Sequence, residues 1–321
     1  MKKRYTSIIL DYGIVVILLF LIVFFSFTAN FFFSLSTFMT ILRQVSITGI
    51  ISIGMAFVII TGGIDLSVGS IAGVSAVTAA LLMRSELPIF FACLITILIA
   101  LGYGFINGLL ITKIKMPPLI ATLGMMMSLR GIAFIITDGL PVFGFNKMYS
   151  NFAKGNFLGI PYMILLLIFV FLLTLFVLNK TTFGRYVYGI GGNEEATRLS
   201  GINTHKIMII VYSINGFLSG IAGLVLLSRT NSGQPSAGNG YEMDAITAVV
   251  LGGVSLTGGE GKLPLVMVGV LIMGILSTGM LMCNINDYVQ QLVKGLVLLG
   301  AVTFSNESHV IRQKISNKLK T

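Results

Sequence analysis

The chain has 321 residues, of which 55% are hydrophobic and only 10% charged, and its mean hydropathy is +0.97. Soluble globular domains carry about 25% charged residues, so this composition cannot cover a water-facing surface and excludes a soluble enzyme. A helix crosses a bilayer with about 20 apolar residues, and with a loop for each span the length predicts roughly ten spans.

Charged residues divide the chain into apolar segments that define these spans. The uncharged run 12–42 follows Lys2, Lys3 and Arg4. It is far longer than the apolar core of a signal peptide, about 7–15 residues, so we expect a first span without cleavage. The fold class predicted is an all-α, polytopic membrane bundle, formed by residues 1–321 as a single domain. Its spans are 12–29, 38–60, 66–83, 89–110, 117–137, 161–179, 207–228, 244–258, 263–282 and 288–304.

The net charge of +10 is distributed unevenly between the two sides of this topology. With the N-terminus inside, the inner segments hold Lys2, Lys3, Arg4, Lys113, Lys115, Lys180, Arg185, Arg198, Lys206, Lys262, Arg312, Lys314, Lys318 and Lys320. The outer segments hold only Arg84, Lys147, Lys154 and Arg229. This bias predicts that both termini are cytoplasmic and that the basic excess faces the lipid bilayer. No clustered basic face indicates nucleic-acid binding.

The segment 61–70, TGGIDLSVGS, joins the second and third predicted spans. Its glycines and Asp65 indicate that the backbone does not continue as a helix, and irregular backbone at membrane depth is stable only beside protein or a water-filled cavity. A tight cytoplasmic turn with Asp65 capping the next helix explains the same residues. Both interpretations stay open on the sequence.

The longest cytoplasmic segment is 180–206. Within it, Asn193 is a predicted N-cap, Glu194, Glu195 and Ala196 form the first turn of a short helix, and Gly201 ends the pattern. Such a helix is a docking element for a cytoplasmic partner, or a solvated connector.

The segment 231–242, NSGQPSAGNGYE, is predicted to be an outer loop because it is rich in Gly, Ser, Asn and Pro. It leads into a short eighth span that the glycine-rich segment 252–259 interrupts. Segments 62–69 and 252–259 lie in the two halves of the chain, and paired interruptions indicate an internal pseudo-repeat and a pathway near the membrane midplane.

Ionisable residues within spans are costly and often functional, and Arg43, Asp65, Arg130 and Lys294 qualify. Arg43 and Arg130 lie near span ends, where they can reach the interface. Lys294 needs a partner, either a helix-packing ion pair or a pathway group. The uncharged polar side chains that could face a hydrated lumen are those of Asn107, Ser128, Ser213 and Asn215. The substrate-pathway candidates are Asp65, Ser67, Asn107, Asn215 and Asp244.

The chain lacks the motifs of common enzymes. Gly261-Lys262 is followed by Leu263 and has no upstream P-loop glycine, the two histidines lie in polar segments, and no G-x-S-x-G is present. Cys93 and Cys283 have no C-x-x-C or histidine neighbours, so neither a disulfide framework nor a metal site is expected. We expect no catalytic residue, no metal and no cofactor in this chain.

Three blocks of sequence resemble the signature of ribose-type sugar ABC-importer permeases. They are 54–70 with its GIDLSVG core, YGIGGNEEA at 188–196 followed by LSGI at 199–202, and 241–261. The resemblance covers nearly the whole chain, and branched-chain amino-acid permeases of the same wider group resemble the first block less.

This resemblance implies a permease subunit that works as a pair, as a homodimer, in the bacterial cytoplasmic (inner) membrane. An extracytoplasmic sugar-binding protein would deliver the sugar, and a cytoplasmic ABC ATPase, which binds ATP and magnesium, would drive transport. Asn193, Glu194, Glu195, Ala196 and Gly201 would then belong to the helix that couples the permease to the ATPase. Ribose is the first expectation, although autoinducer-2, galactofuranose, allose, xylose and inositol systems share the motifs.

Two other functions remain as alternatives. An ATP-independent secondary carrier or channel for a small polar solute would need intramembrane carboxylate or sodium-site chemistry, for which only Asp65 is available. A membrane scaffold would have no need for interrupted helices.

Overall fold

A computed structural model describes the backbone of residues 2–145 and 147–317, and the side chains of residues 13–145, 148–149 and 151–303. The basic side chains 2–4, 147, 312, 314, 318 and 320, used above for orientation, lie outside the described ones. The described helices are α1 (Lys2–Thr28), α2 (Leu35–Ile60), α3 (Val68–Arg84), α4 (Ile89–Thr112), α5 (Pro118–Ile135), α6 (Lys147–Lys154), α7 (Tyr162–Lys180), α8 (Thr182–Gly192), α9 (Glu194–Leu199), α10 (Thr204–Thr230), α11 (Tyr241–Leu251), α12 (Leu263–Met282) and α13 (Asp287–Asn317). Two short antiparallel strands, β1 (Asn156–Phe157) and β2 (Ile160–Pro161), follow α6.

The prediction of an all-α membrane bundle is confirmed apart from this small hairpin. Six described helices are long and apolar enough to cross a membrane: α2, α4, α5, α7, α10 and α12. Gly13–Thr28 of α1 and Val68–Arg84 are shorter apolar helices. A described helix lies at each predicted span, although at 244–258 only residues 244–251 are helical. The count of ten crossings and the cytoplasmic termini remain predictions.

Helix α2 is the centre of the bundle. Every residue from 45 to 60 is buried, and the helix contacts α7, α10, α11 and α12. A helix that is apolar on all sides is stable only when it is covered on all sides. The composition of α2 therefore places it inside, and the less buried helices surround it.

Helices α4 and α10 pack closely through glycines. A Cβ atom on Gly216 would lie 2.9 Å from Cα of Gly104, and one on Gly108 would lie 2.7 Å from Cα of Ile209. Two of the three glycine pairs spaced by four residues therefore serve helix contact as expected. The third pair, Gly69 and Gly73, contacts a non-helical segment.

That segment is 231–240, which does not stay at the surface as an outer loop would. Gly233 exchanges two backbone hydrogen bonds with Val142, of 2.8 and 2.9 Å. The segment then runs along α3, with Gly233 against Ala80 and Gly238 against Gly69. It therefore re-enters the bundle before α11 begins.

The helix at the eighth predicted span is short and interrupted, as expected, but its bounds differ from 244–258. Helix α11 has 11 residues, which gives about 16 Å, roughly half of the hydrocarbon thickness. It ends at Leu251, where Gly252 and Gly253 begin a non-helical segment up to Lys262.

Candidate functional site

Four of the five pathway candidates form one buried hydrogen-bond network. Oδ1 of Asp65 accepts from the backbone N–H of Ser67 at 2.9 Å and from its hydroxyl at 2.6 Å. Oδ2 of Asp65 accepts from Nδ2 of Asn215 at 2.8 Å, and Nδ2 of Asn107 donates to the Ser67 hydroxyl at 2.9 Å. All four residues are 0% exposed. The network joins the segment between α2 and α3 to α4 and α10.

The donors in this network fix the orientation of both amides. Because the Ser67 hydroxyl gives its hydrogen to Asp65, it can only accept from Asn107, so the Asn107 Nδ2 must face it. Oδ1 of Asn107 and Oδ1 of Asn215 are consequently buried without a partner, as is the hydroxyl of Tyr212. Among the described side chains, no cation lies within salt-bridge distance of Asp65. The three donors therefore offset the cost of burying its carboxylate.

The buried position of Asp65 decides between the two interpretations of its segment. The backbone from Thr61 to Ser67 is non-helical, and the N-cap position of α3 is Ser67 rather than Asp65. Thr122 of α5 also holds the segment, because its hydroxyl accepts from the Leu66 N–H at 3.1 Å and donates to the Ile64 carbonyl at 3.3 Å. The segment is an interruption enclosed by protein, not an exposed turn.

Asp244, the fifth candidate, lies at a different site. Its Oδ2 is 2.8 Å from Nζ of Lys294 on α13, with side chains 14% and 26% exposed. Of the two interpretations of Lys294, the structure shows the ion pair. The prediction that Asp244 and the Asp65 network contact a solute stays a prediction, and the network must open before a solute can reach it.

A second ion pair lies on the other side of α11. Nη2 of Arg130 on α5 is 3.1 Å from Oε1 of Glu242, with side chains 34% and 7% exposed. Arg130 therefore pairs with a carboxylate of the bundle, whereas its place near a span end predicts that its side chain would extend to the membrane interface. Both acids, Glu242 and Asp244, lie in the first turn of α11, where the positive end of the helix dipole also stabilises their negative charges.

Glu242 is the functional candidate that sequence reasoning missed. Its Oε2 is buried without a hydrogen-bond partner and faces the space where a Cβ of Gly69 would stand. The available signal was a glutamate directly before an apolar helix, within one of the blocks that carry the family resemblance.

The two glycine-rich interruptions meet at the C-terminal end of α2. The N–H of Gly259 donates to the carbonyl of Ile60 at 2.8 Å. A Cβ on Gly258 would lie 2.8 Å from N of Gly62 and 2.9 Å from Cα of Gly191 in α8. The hydroxyl of Tyr188 donates to the carbonyl of Gly261 at 2.9 Å. Helix α8 thus contacts the second interruption and Ile60, the last residue of α2, beside the point where the two interruptions meet; we call this contact the glycine junction.

Helix α9 follows the glycine junction and has the caps expected from the sequence. The side chain of Asn193 accepts from the N–H of Ala196 at 2.9 Å, and Gly201 has a positive φ of 83° directly after the helix. Glu195 pairs with Arg198 at 2.7 Å, and this hydrogen bond raises the pKa of the exposed Arg198 guanidinium. Glu194 accepts from the Thr204 hydroxyl at 3.1 Å, which joins α9 to the start of α10.

Comparison with known proteins identifies the class of this bundle. Residues 37–302 match the family model described as "Branched-chain amino acid transport system / permease component", and the chain belongs to this family. It is a multi-pass protein of the bacterial inner membrane.

Its similar relatives include ribose import permeases. The chain is 44% identical over 279 residues to the ribose import permease protein RbsC of Haemophilus influenzae, which covers 86% of each chain. It is 45% identical over 266 residues to RbsC of Bacillus subtilis, covering 82% of this chain and 83% of that protein. The L-arabinose transport system permease protein AraH of Escherichia coli is 39% identical over 260 residues, covering 81% of this chain and 79% of that protein. No solved structure matches the chain.

Proposed function

We propose that this chain is the permease subunit of an ATP-driven ABC importer that moves ribose into the cytoplasm. The observation that carries the proposal is the glycine junction, in which α8 contacts the second interruption and the end of α2, where the first interruption begins, directly before the exposed helix α9. A force applied to α9 from the cytoplasm would reach the interruptions of both halves through this contact. The 42–45% identity to ribose import permeases supports the choice of sugar.

The finer features of the importer belong to the same proposal. The chain would act as one permease domain with ten spans, cytoplasmic termini and a pseudo-repeat, and would pair with a second copy. A cytoplasmic ATPase, the only subunit that hydrolyses ATP, would dock on α9, with Asn193 and Gly201 fixing the ends of that helix. An extracytoplasmic binding protein would deliver ribose to the outer side. No observation favours the ATP-independent carrier.

The test combines Glu194→Lys and Glu195→Lys in proteoliposomes that contain the chain, the ATPase and the binding protein. Charge reversal on exposed α9 should leave insertion intact and reduce ATP-driven uptake of labelled ribose at least tenfold, while ATP hydrolysis continues. A matched control is Lys180→Glu, a charge reversal at an exposed residue at the end of α7, ahead of α8 and α9. Unchanged coupled uptake in the double variant would contradict the docking role, and uptake by the permease alone would contradict the importer.

A further inference from the structure

The surfaces of the bundle differ in polarity. Along α4, every exposed side chain from Phe90 to Ile106 is apolar, and the same holds along α7 from Ile168 to Phe176. Lipid tails can cover such surfaces because apolar side chains leave no hydrogen-bonding group unsatisfied, so these two helices present lipid-facing surfaces.

The start of α11 presents a different surface. The Arg130 side chain is 34% exposed and that of Lys294 is 26% exposed, whereas their acidic partners are 7% and 14% exposed. The outward parts of both ion pairs are therefore cationic. A charged group facing hydrocarbon costs several kcal/mol, so this surface requires water or protein in front of it.

The backbone leading into α11 points to the same requirement independently. Ser236 and Asn239 are exposed although they belong to the non-helical segment that lies against Gly69 and Gly73. Those glycines precede the outer end of α3, Arg84, by 15 and 11 residues, which places them about 16–22 Å below that end. Exposed polar residues in an irregular segment at such depth are stable only where they line a water-filled cavity or are covered by protein.

Charge favours water over a second copy in direct contact. Two copies related by a two-fold axis present the same patch to each other. Direct contact at this patch would bring the cationic side chains of Arg130 and Lys294 towards the same residues of the other copy. A hydrated space between the copies avoids this repulsion and leaves the guanidinium N–H groups free to donate.

We propose that the N-terminal end of α11, flanked by Arg130 and Lys294 and preceded by Asn239, is a polar station that hydrogen-bonds a neutral polyhydroxylated solute in the space between the two copies. Glu242 and Asp244 position the two cations. Guanidinium and ammonium groups donate to hydroxyl oxygens, and the Asn239 amide both donates and accepts. This inference rests on the proposed importer and gives its substrate a contact site.

Thiol accessibility tests the station. Two test cysteines are introduced. Met127→Cys lies three residues before Arg130, at a side chain that is 66% exposed in the native protein. Met243→Cys lies between Glu242 and Asp244, at a side chain that is 47% exposed. Matched lipid-facing controls are Leu98→Cys on α4 and Phe169→Cys on α7, native exposures 57% and 64%. The background replaces both free cysteines, Cys93→Ala and Cys283→Ser. A charged methanethiosulfonate is added to the permease alone in proteoliposomes.

The expected result is modification of both α5 and α11 cysteines at least tenfold faster than the controls. In the complete system, ribose-loaded binding protein with ATP should then slow modification of Met243→Cys at least threefold. Equal rates at test and control positions would overturn the proposal, as would fast modification that ribose does not slow. Slow modification with ready disulfide cross-linking between copies would overturn it in favour of a copy–copy interface.

Separate measurements test the importer and the polar station. Labelled ribose uptake by the cysteine-free background in the complete system tests the importer. The modification rates of the permease alone require neither ATPase nor sugar, and they locate the hydrated surface in either case.

Discussion

Exchange of two side chains tests whether the hydrogen bond between Asn215 and Asp65 holds the first interruption in place. Asn215→Asp places a carboxylate 2.8 Å from the Asp65 carboxylate, where an amide donor stood. Both positions are 0% exposed. At an effective dielectric constant of about 20, two unit charges at that separation repel by about 6 kcal/mol. Capture of a proton between the carboxylates relieves part of this cost.

The exchanged pair, Asp65→Asn with Asn215→Asp, restores one donor and one acceptor. The amide introduced by Asp65→Asn would accept from Ser67 through its oxygen and donate through its nitrogen to the carboxylate introduced by Asn215→Asp. We therefore expect the exchanged pair to recover most of the stability that Asn215→Asp loses, to within about 2 kcal/mol of the native protein, since a hydrogen bond to a charged group contributes about 1.5–3 kcal/mol.

The assay follows the fraction of a fluorescent fusion that remains monodisperse in detergent after heating. The expected order of thermal stability is native protein, exchanged pair, then Asn215→Asp, with Asp65→Asn completing the cycle and giving the coupling energy. An exchanged pair no more stable than Asn215→Asp would refute the reasoning, because it would show that the two side chains do not depend on each other.

Two further predictions concern the contacts of segment 231–240 and of α11. Gly69→Val should abolish ribose uptake, because a Cβ at this position would meet the Gly238 carbonyl and the Glu242 carboxylate. Gly102→Val on α4 is the control and should retain most uptake, because a Cβ there would have no atom within 4 Å. Equal uptake by the two variants would contradict the contact between Gly69 and segment 231–240. Lys294→Met should lower thermal stability in detergent by about 1–3 kcal/mol, because it leaves the Asp244 carboxylate unpaired. Combining Lys294→Met with Asp244→Leu should recover the lost stability. A double variant less stable than Lys294→Met would contradict the pairing.

Local patterns predicted much of this fold because the membrane imposes a simple rule on each segment. An apolar stretch of about 20 residues must be helical to satisfy its backbone, so a helix lies at each predicted span. The α9 helix was equally predictable, since Asn193 and Gly201 act on backbone groups within a few residues of themselves. The interruptions at 61–67 and after Leu251 followed from glycine content.

The sequence by itself determined which apolar segments are helical, where they are interrupted and which class of protein they form, because these properties depend on neighbours along the chain. It did not predict α6, α8 or the hairpin. Only the tertiary structure decided the partners: Asp65 with Asn215, 150 residues apart, and Arg130 with Glu242, 112 residues apart. It also turned segment 231–240 inward along α3. A polar side chain in a membrane bundle needs a partner, but the sequence does not say which helix supplies it. Packing brings that helix close, and packing depends on the whole chain at once.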